Sequence, residues 1–584
     1  MEGSAEISMI EHRSLVRFAP PFAPDTYSEK ERKYLAPFFT NLDKSVYVPL
    51  IASPELIGAL CSRTSRAAGD LRYIFLHEFV YPFVAPVRGE KETEDEWQEK
   101  VKYGKSLKEF ISLFGEHSIA DFFSHPRARS FYIKWLAQYG DDSIAQMAGL
   151  HLVFAGLSQV AIKHCEDQRI GLAPIEKSTR YVNYSVKISG QYPYYVDPAL
   201  GEIGLLEEYR MAMDNLFDTY TSLLPRLIAW LSERFPEETL PVIEKKAFDT
   251  LRGLLPTSTI SQVSFFGNGQ AFEYLINRSA AHPLGEIQWA AERAFEELHK
   301  VAPSFLWRLK DEDTKEIVET YQRYLAEKPM RMKPLVDEYF GALNRDALQR
   351  FETHGPRVRL AESDPDGEVK VITAMLYGAS GNHRSWSELL EKVRQMSQEE
   401  RKKVIDTYLR DRTQRWQKVG RAFEHVYNRF EIVMNIGAWR DLHRHRMLTQ
   451  QRQYFSCHHG YDVPQEIVGA GLEQEFRQAI DPIEELFSKI ESKNNELAQY
   501  AVTLSHRIRF MQWENLRQSF WQIELRTIPE GHPDYRKIEQ EKFKLLKEKY
   551  PLIASHIRAN MADYDFARRG QEEKVQEKLA KLSQ

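Results

Sequence analysis

Arg440-Asp-Leu-His-Arg-His-Arg-Met-Leu-Thr-Gln-Gln-Arg-Gln-Tyr-Phe-Ser456 sets four arginines into a short span directly behind the alternating apolar run Phe430, Ile432, Met434, Ile436. The alternation reads as a half-buried strand. Ala438, Trp439 and Leu442 then begin a helix that delivers the triplet Arg444-His445-Arg446. Positive charge concentrated at the end of a strand-helix unit points to something anionic bound there.

The same order of elements occurs earlier in the chain. Leu150-His-Leu-Val-Phe154 alternates loosely, Leu157 to Ile162 has helical spacing, and the polar loop Glu166 to Tyr184 follows, holding Glu176-Lys-Ser-Thr-Arg-Tyr181. The repeat is one of arrangement rather than of residue identity. Upstream, residues 1–45 carry the Pro-rich piece Phe18-Ala-Pro-Pro-Phe-Ala-Pro24 and read as an extension laid over the surface. Val46 to Ile51 reads as a strand, Pro54 to Leu60 as a helix, and 75–124 as an insertion or helical elaboration. A helix from Ala128 through Trp135 to Tyr139 is expected to stop at Gly140-Asp-Asp-Ser143.

Apolar residues at spacings of three and four make Ile203 to Leu240 helical, and a Thr/Ser-rich connection leads from Pro256 to Gly267-Asn-Gly-Gln. The Pro-containing region 328–367 is expected to be a linker, which leaves 46–327 and 368–584 as two domains. In the second, Val369 to Tyr377 reads as a strand, and Ser385-Trp-Ser-Glu388 and Ser397-Gln-Glu-Glu400 are capping signatures that start helices. Glu485 to Tyr500 reads as a polar helix, His506 to Arg526 mirrors the later part of the first half, and the tail after Pro533 reads as a solvated charged helix.

At 584 residues the chain exceeds what one core organises. With 42% apolar and 28% charged residues it has the composition of a globular protein. A net charge of −5 argues against a dedicated nucleic-acid or membrane surface while leaving room for a local basic pocket. The cysteines Cys61, Cys165 and Cys457 form neither a disulfide framework nor a zinc pattern, and packing explains Cys61 and Cys165 as well as catalysis does. No signal peptide or membrane span is read, and a cytoplasmic location is expected. His443, His445, Cys457, His458 and His459 lie close in sequence. Residues two apart on a helix point to different sides, however, so no metal site is expected.

Arg444-His445-Arg446, preceded by Phe423-Glu424-His425 and followed by Asn515-Leu-Arg517 and Arg526, resembles the flavin-dependent thymidylate synthase family. That family's signature is Arg-His-Arg, seven residues, then Ser. Here Tyr454 stands where the serine is due, and Gln499-Tyr-Ala-Val-Thr503 stands where the family has the phosphate-gripping Arg-x-x-Leu-Pro. The first half shows the opposite losses. Glu176-Lys-Ser178-Thr179-Arg180 is similar to the family's nucleotide loop and Arg252-Gly-Leu-Leu-Pro256 to its phosphate element. The counterpart of Arg-His-Arg falls in Glu166-Asp-Gln-Arg-Ile170, in a register that depends on the flank counted from, and the expected glutamate is Gln146. Acids such as Glu166 and Asp167 would repel a flavin phosphate.

The resemblance implies an α+β fold of two tandem domains, each a mixed or antiparallel sheet packed with long helices. It further implies FAD as cofactor, NADPH and methylenetetrahydrofolate as co-substrates, and conversion of dUMP to dTMP without a cysteine nucleophile. Glu424, Arg444, His445, Arg446, Asn515 and Arg517 would hold FAD. Glu176, Ser178, Thr179, Arg180 and Arg252 would bind the nucleotide, its phosphate met by Ser178, Arg180 and Arg252. Arg526 would stabilise charge on the uracil, with Arg278 at nearly the same place in the first half as its rival. Asp441 replaces a glutamine that contacts the pyrimidine, so a different pyrimidine nucleotide is an alternative substrate, and a non-catalytic nucleotide-binding homologue is a further one. Because the family forms homotetramers, a two-half chain is expected to form a homodimer that mimics one.

Overall fold

The computed structural model describes residues 15–564, apart from 91, 116–124, 133, 135–141, 310 and 342–356, together with 566. It has two antiparallel four-stranded sheets of the same connectivity. In the first, β1 (Val46–Tyr47), β2 (Gly149–Ser158), β3 (Leu172–Glu176) and β4 (Ile260–Asn268) lie in the order β1-β2-β4-β3. In the second, β5 (Val358–Ser363), β6 (Tyr427–Asn435), β7 (Thr449–Arg452) and β8 (Arg507–Asn515) lie in the order β5-β6-β8-β7. The repeat of arrangement anticipated from the sequence is thus a repeat of fold, and the α+β tandem class holds.

Each of the two central strands of each sheet runs straight into a helix through a capping side chain. Ser158 Oγ accepts from Ala161 N at 3.1 Å and Asn435 Oδ1 from Ala438 N at 2.8 Å. Asn268 Oδ1 accepts from Ala271 N at 2.8 Å and Asn515 Oδ1 from Gln518 N at 2.9 Å. These caps satisfy otherwise orphaned helix N–H groups and fix the strand-to-helix angle, so the residues just past each cap are placed rigidly.

The residues fall into two compact units, neither of them a continuous stretch of chain. One comprises Met1–Ser222, Leu255–Ala342 and Asp481–Ala501, the other Leu223–Leu254, Leu343–Ile480 and Val502–Gln584. Each unit therefore completes itself with a helical segment from the other half of the sequence.

Several local expectations are corrected. Val369 to Tyr377 lies in a helix, Gly367–Tyr377, because Val371, Ile372, Thr373, Ala374 and Met375 are buried as a nearly continuous run that carries no period to choose between helix and strand. The supposed connection before Gly267 is β4, one of the two central strands of its sheet, where Ser261, Gln262 and Ser264 are buried beside Val263 and Phe265 and mask its apolar pattern. Lys315–Phe340 is one helix through Pro329 and Pro334, and β5 lies inside the span read as linker.

The N-terminal extension does not merely lie on the surface. Tyr27, Leu35, Phe38, Phe39 and Leu42 pack into one core with Ile57, Phe75, Leu107 and Ile111, so extension and insertion stabilise each other. The tail helix Pro533–Lys549 is buried along one side, Lys542 and Glu539 included. Ser385 and Ser397 do form capping boxes with Glu388 and Glu400. The helix end expected at Trp135 to Gly140 lies outside the described residues. Among the described residues no helix is long and apolar enough to cross a membrane.

Candidate functional site

In the second unit the pairing of β6 with β8 sets Tyr427 opposite Asn515. Glu424 lies three residues before that pair and Arg517 two residues after it, and the two side chains form an ion pair. Arg421 adds a second contact to Glu424 at 3.0 Å. Burial raises the carboxyl's pKa, but the hydrogen bonds from Arg517 and Arg421 outweigh it and hold Glu424 below its ordinary value.

Beyond the helix Ile436–Leu442, Arg444 and Arg446 are exposed while His445 between them is buried. Arg526, at the end of the helix Leu516–Arg526, donates from Nε to His445 Nε2 at 2.8 Å and from Nη2 to the Asp441 carbonyl at 2.6 Å. Arginine only donates, so His445 Nε2 carries a lone pair and the ring is not doubly protonated. Gln518 Nε2 lies on the other side of the ring, 3.2 Å from His445 Nδ1. The triplet is therefore a buried imidazole anchored by Arg526 and flanked by two exposed arginines, whose charge suits an anionic partner.

Behind it runs a buried polar network that the sequence reading missed. Gln518 donates to Gln522 at 3.1 Å, and Gln522 donates to Gln512 at 3.2 Å and to Glu539 at 2.7 Å. Lys542, fully buried, lies 2.9 Å from Glu514 and 3.4 Å from Glu539. Burial lowers the lysine's pKa, yet the two carboxylates more than reverse that and leave it raised. One signal was readable: every second residue of β8 faces inward, and in Ile508, Phe510, Gln512, Glu514 that face changes from apolar to polar.

The residues whose sequence is similar to the family's nucleotide loop lie in the first unit. Glu176 is buried, with its carboxylate 2.8 Å from Lys163 Nζ, which also reaches Glu166 at 2.6 Å. Glu166 is thus a buried partner of a lysine rather than an exposed acid facing a phosphate. Ser178 Oγ accepts from Arg180 N at 3.2 Å and closes a turn, and Thr179 and Arg180 are buried. Arg252 belongs to the second unit, although by sequence it follows this loop. It is buried beside Asp249 at 3.4 Å and lines a cavity of about 730 Å³ with Lys246, Asn435 and Ser505. Gly437 admits it, since a Cβ there would lie 3.3 Å from Arg252 Nε. Cys61 and Cys165 are buried, and burial pushes the Cys165 thiol up to about 12.

The first unit also explains why counting from two flanks disagrees. Gly149 pairs with Asn268 as Tyr427 pairs with Asn515, but the β2–β4 pairing slips between Phe154 and Leu157, so β2 holds one residue more than β6. Counted from the caps Ser158 and Asn435, Asp167-Gln168-Arg169 take the places of Arg444-His445-Arg446. Counted from the caps Asn268 and Asn515, the place of Arg526 falls to Ser279, whose Oγ is 3.0 Å from His164 Nε2. Arg278 stands one residue earlier, with Nη2 3.5 Å from His164 Nδ1.

The family model described as thymidylate synthase complementing protein matches the chain twice, over residues 92–304 and 359–552. A UPF0159 protein of Chlamydia pneumoniae is 32% identical over 522 residues, covering 88% of this chain and 91% of the relative. One of Chlamydia muridarum is 31% identical over 560 residues, covering 94% and 98%. A UPF0159 protein of Thermoplasma acidophilum is 29% identical over 475 residues, covering 76% and 91%. Two sheets of one topology, the anchored Arg444-His445-Arg446 triplet and the double match lead to one conclusion: the chain belongs to the thymidylate synthase complementing protein family and carries its domain in tandem.

Proposed function

We propose that the protein is a flavin-dependent thymidylate synthase that converts dUMP to dTMP with methylenetetrahydrofolate and NADPH. The observation that carries this reading is the triplet Arg444-His445-Arg446, with its imidazole held by Arg526 and both arginines exposed. Those two cations, with Arg517 and Asn515 at the adjacent end of β8, are the residues that would hold FAD, and their charge suits its phosphates. When bound, FAD supplies the hydride that completes the methyl group. The chain's own task is to orient the uracil and to meet the negative charge that develops on it, the role assigned to Arg526. Ser178 and Arg180 of the first half, together with Arg252, are assigned to the nucleotide. The complementary sequence losses of the two halves support this division, and a homodimer goes with it, which light scattering at twice the chain mass would confirm.

A second reading, a flavin enzyme acting on another pyrimidine nucleotide, is favoured by Asp441, where the family has a glutamine. Purified full-length protein decides. A yellow preparation that oxidises NADPH and releases tritium from C5-labelled dUMP in the presence of methylenetetrahydrofolate supports the first reading. Activity with a different nucleotide and none with dUMP selects the second, and a colourless preparation that takes up no FAD rejects both in favour of a non-catalytic homologue.

A further inference from the structure

The first unit holds a cavity of about 720 Å³, lined wholly by that unit's residues, at the place that corresponds to the Glu424, Arg517 and His445 cluster of the second. The correspondence follows from the strand pairing. Gln146 lies three residues before the Gly149–Asn268 pair and Gln270 two residues after it, as Glu424 and Arg517 do around Tyr427 and Asn515. Where the second unit has an ion pair, the first has a hydrogen bond, Gln146 Nε2 donating to Gln270 Oε1 at 3.1 Å. Gln168, in the place of His445, donates from Nε2 to the Ala271 carbonyl at 2.5 Å. At the Gln146 and Gln270 positions the pairing is kept while the charge is removed.

What charge remains on the wall cancels, since Arg308 pairs with Glu273 at 2.7 Å. The rim, by contrast, is apolar and open: Ile170 is 77% exposed, Ile317 70%, Tyr321 42% and Tyr274 38%, and all four line this one cavity. Large apolar side chains grouped around a concavity that also carries a few converging amides mark a small-molecule site, and the volume lies within the usual range for one. A polyphosphate would find no net positive charge here. Side-chain amides each offer both donor and acceptor, and they match a ring whose edge alternates N–H and C=O.

We infer that this cavity binds an uncharged planar heterocycle with a lactam edge, of the pyrimidinedione or pteridinone class, stacked on Tyr274 or Tyr321 and read by Gln146 and Gln270. The site is separate from the flavin-side cluster and does not depend on the reaction proposed above.

The test uses the full chain with two probes that carry no phosphate, uridine and 6-hydroxymethylpterin, followed by calorimetry and ligand-detected NMR. At least one probe should bind, with an affinity that rising salt leaves unchanged. Gln270→Met should weaken that binding about tenfold, the worth of a lost hydrogen-bonding partner. Tyr321→Ala, at an exposed position where folding is not at stake, should weaken it as well. Arg444→Ala should leave it intact, which distinguishes failure of this site from failure of the flavin reading. Absence of binding by both probes overturns the inference. So does binding that persists in both Gln270→Met and Tyr321→Ala, that disappears in Arg444→Ala, or that falls steeply with salt.

Discussion

At the scale of single residues, His445 shows how a short motif acquires meaning from its surroundings. As a letter between two arginines it is one more candidate ligand. In the structure it is buried and held by Arg526 on one nitrogen, with Gln518 beside the other, while its neighbours in sequence turn outward. Arg526→Lys keeps the charge but cannot reproduce a guanidinium that reaches both His445 and the Asp441 carbonyl. Turnover should fall about 100-fold or more with FAD retained, the usual cost of losing one preorganised charge-stabilising donor. Rapid-quench turnover and the flavin absorbance of the same preparation check the two parts separately. The division of labour is tested by a pair of variants: Arg180→Ala should weaken nucleotide binding and spare the flavin, and Arg444→Ala should do the reverse. Equilibrium titrations of both ligands on both variants would contradict the assignment if either substitution affected the two ligands equally.

Among the elements, the tail helix Pro533–Lys549 departs furthest from expectation. Its charge density suggested solvation, yet Lys542 sits at zero side-chain exposure between Glu514 and Glu539, with Gln512 at 3.1 Å. A buried ion cluster of this kind contributes little relative to a well-packed apolar one, but breaking it leaves uncompensated charge behind. Lys542→Met should therefore lower stability by about 3–5 kcal/mol in urea unfolding. Replacing Lys542, Glu514 and Glu539 together with apolar residues of similar size should recover most of that loss. A single substitution within about 1 kcal/mol of the parent would show that the cluster is not tightly coupled. The bulge in β2 belongs to the same scale, for one extra residue in a strand shifts every position upstream of it in any count between the two halves.

For the molecule as a whole, the reciprocal exchange of segments has a pH-dependent consequence. Tyr500, from the segment Asp481–Ala501, donates to Glu286 in the first unit at 2.8 Å, and Ser158 donates to the same carboxylate from N and Oγ at 2.7 and 2.6 Å. Burial, only partly offset by these bonds, pushes the Glu286 carboxyl up from 4.5 to about 7. Between those pH values the unfolded chain has released a proton that the folded chain keeps. This group's contribution is therefore greatest at acidic pH, declines as pH rises through about 7 and is lost above it. The span corresponds to about 3 kcal/mol. Glu286→Gln should melt at a higher temperature relative to the parent at pH 8 than at pH 5. A constant difference between the two pH values would show that the carboxyl titrates normally.

The sequence by itself determined the tandem plan, the strand-helix unit before Arg444, the capped starts at Ser385 and Ser397, and the motif residues, because each rests on neighbours in the chain: alternation, helical spacing, a serine three residues before a glutamate. Only the tertiary structure decided which of those residues meet. It paired Glu424 with Arg517 and His445 with Arg526, buried Glu176 against Lys163, and assigned Arg252 to the second unit rather than to the loop that precedes it in sequence. Central strands such as β4 and the buried run from Val371 to Met375 escaped the reading, since a segment covered on all sides loses the contrast between inward and outward positions on which periodicity depends. Polar residues such as Gln512, Gln522 and Lys542 looked like surface for the converse reason: their partners are distant in the chain, and burial of a charge becomes possible only once those partners are in place.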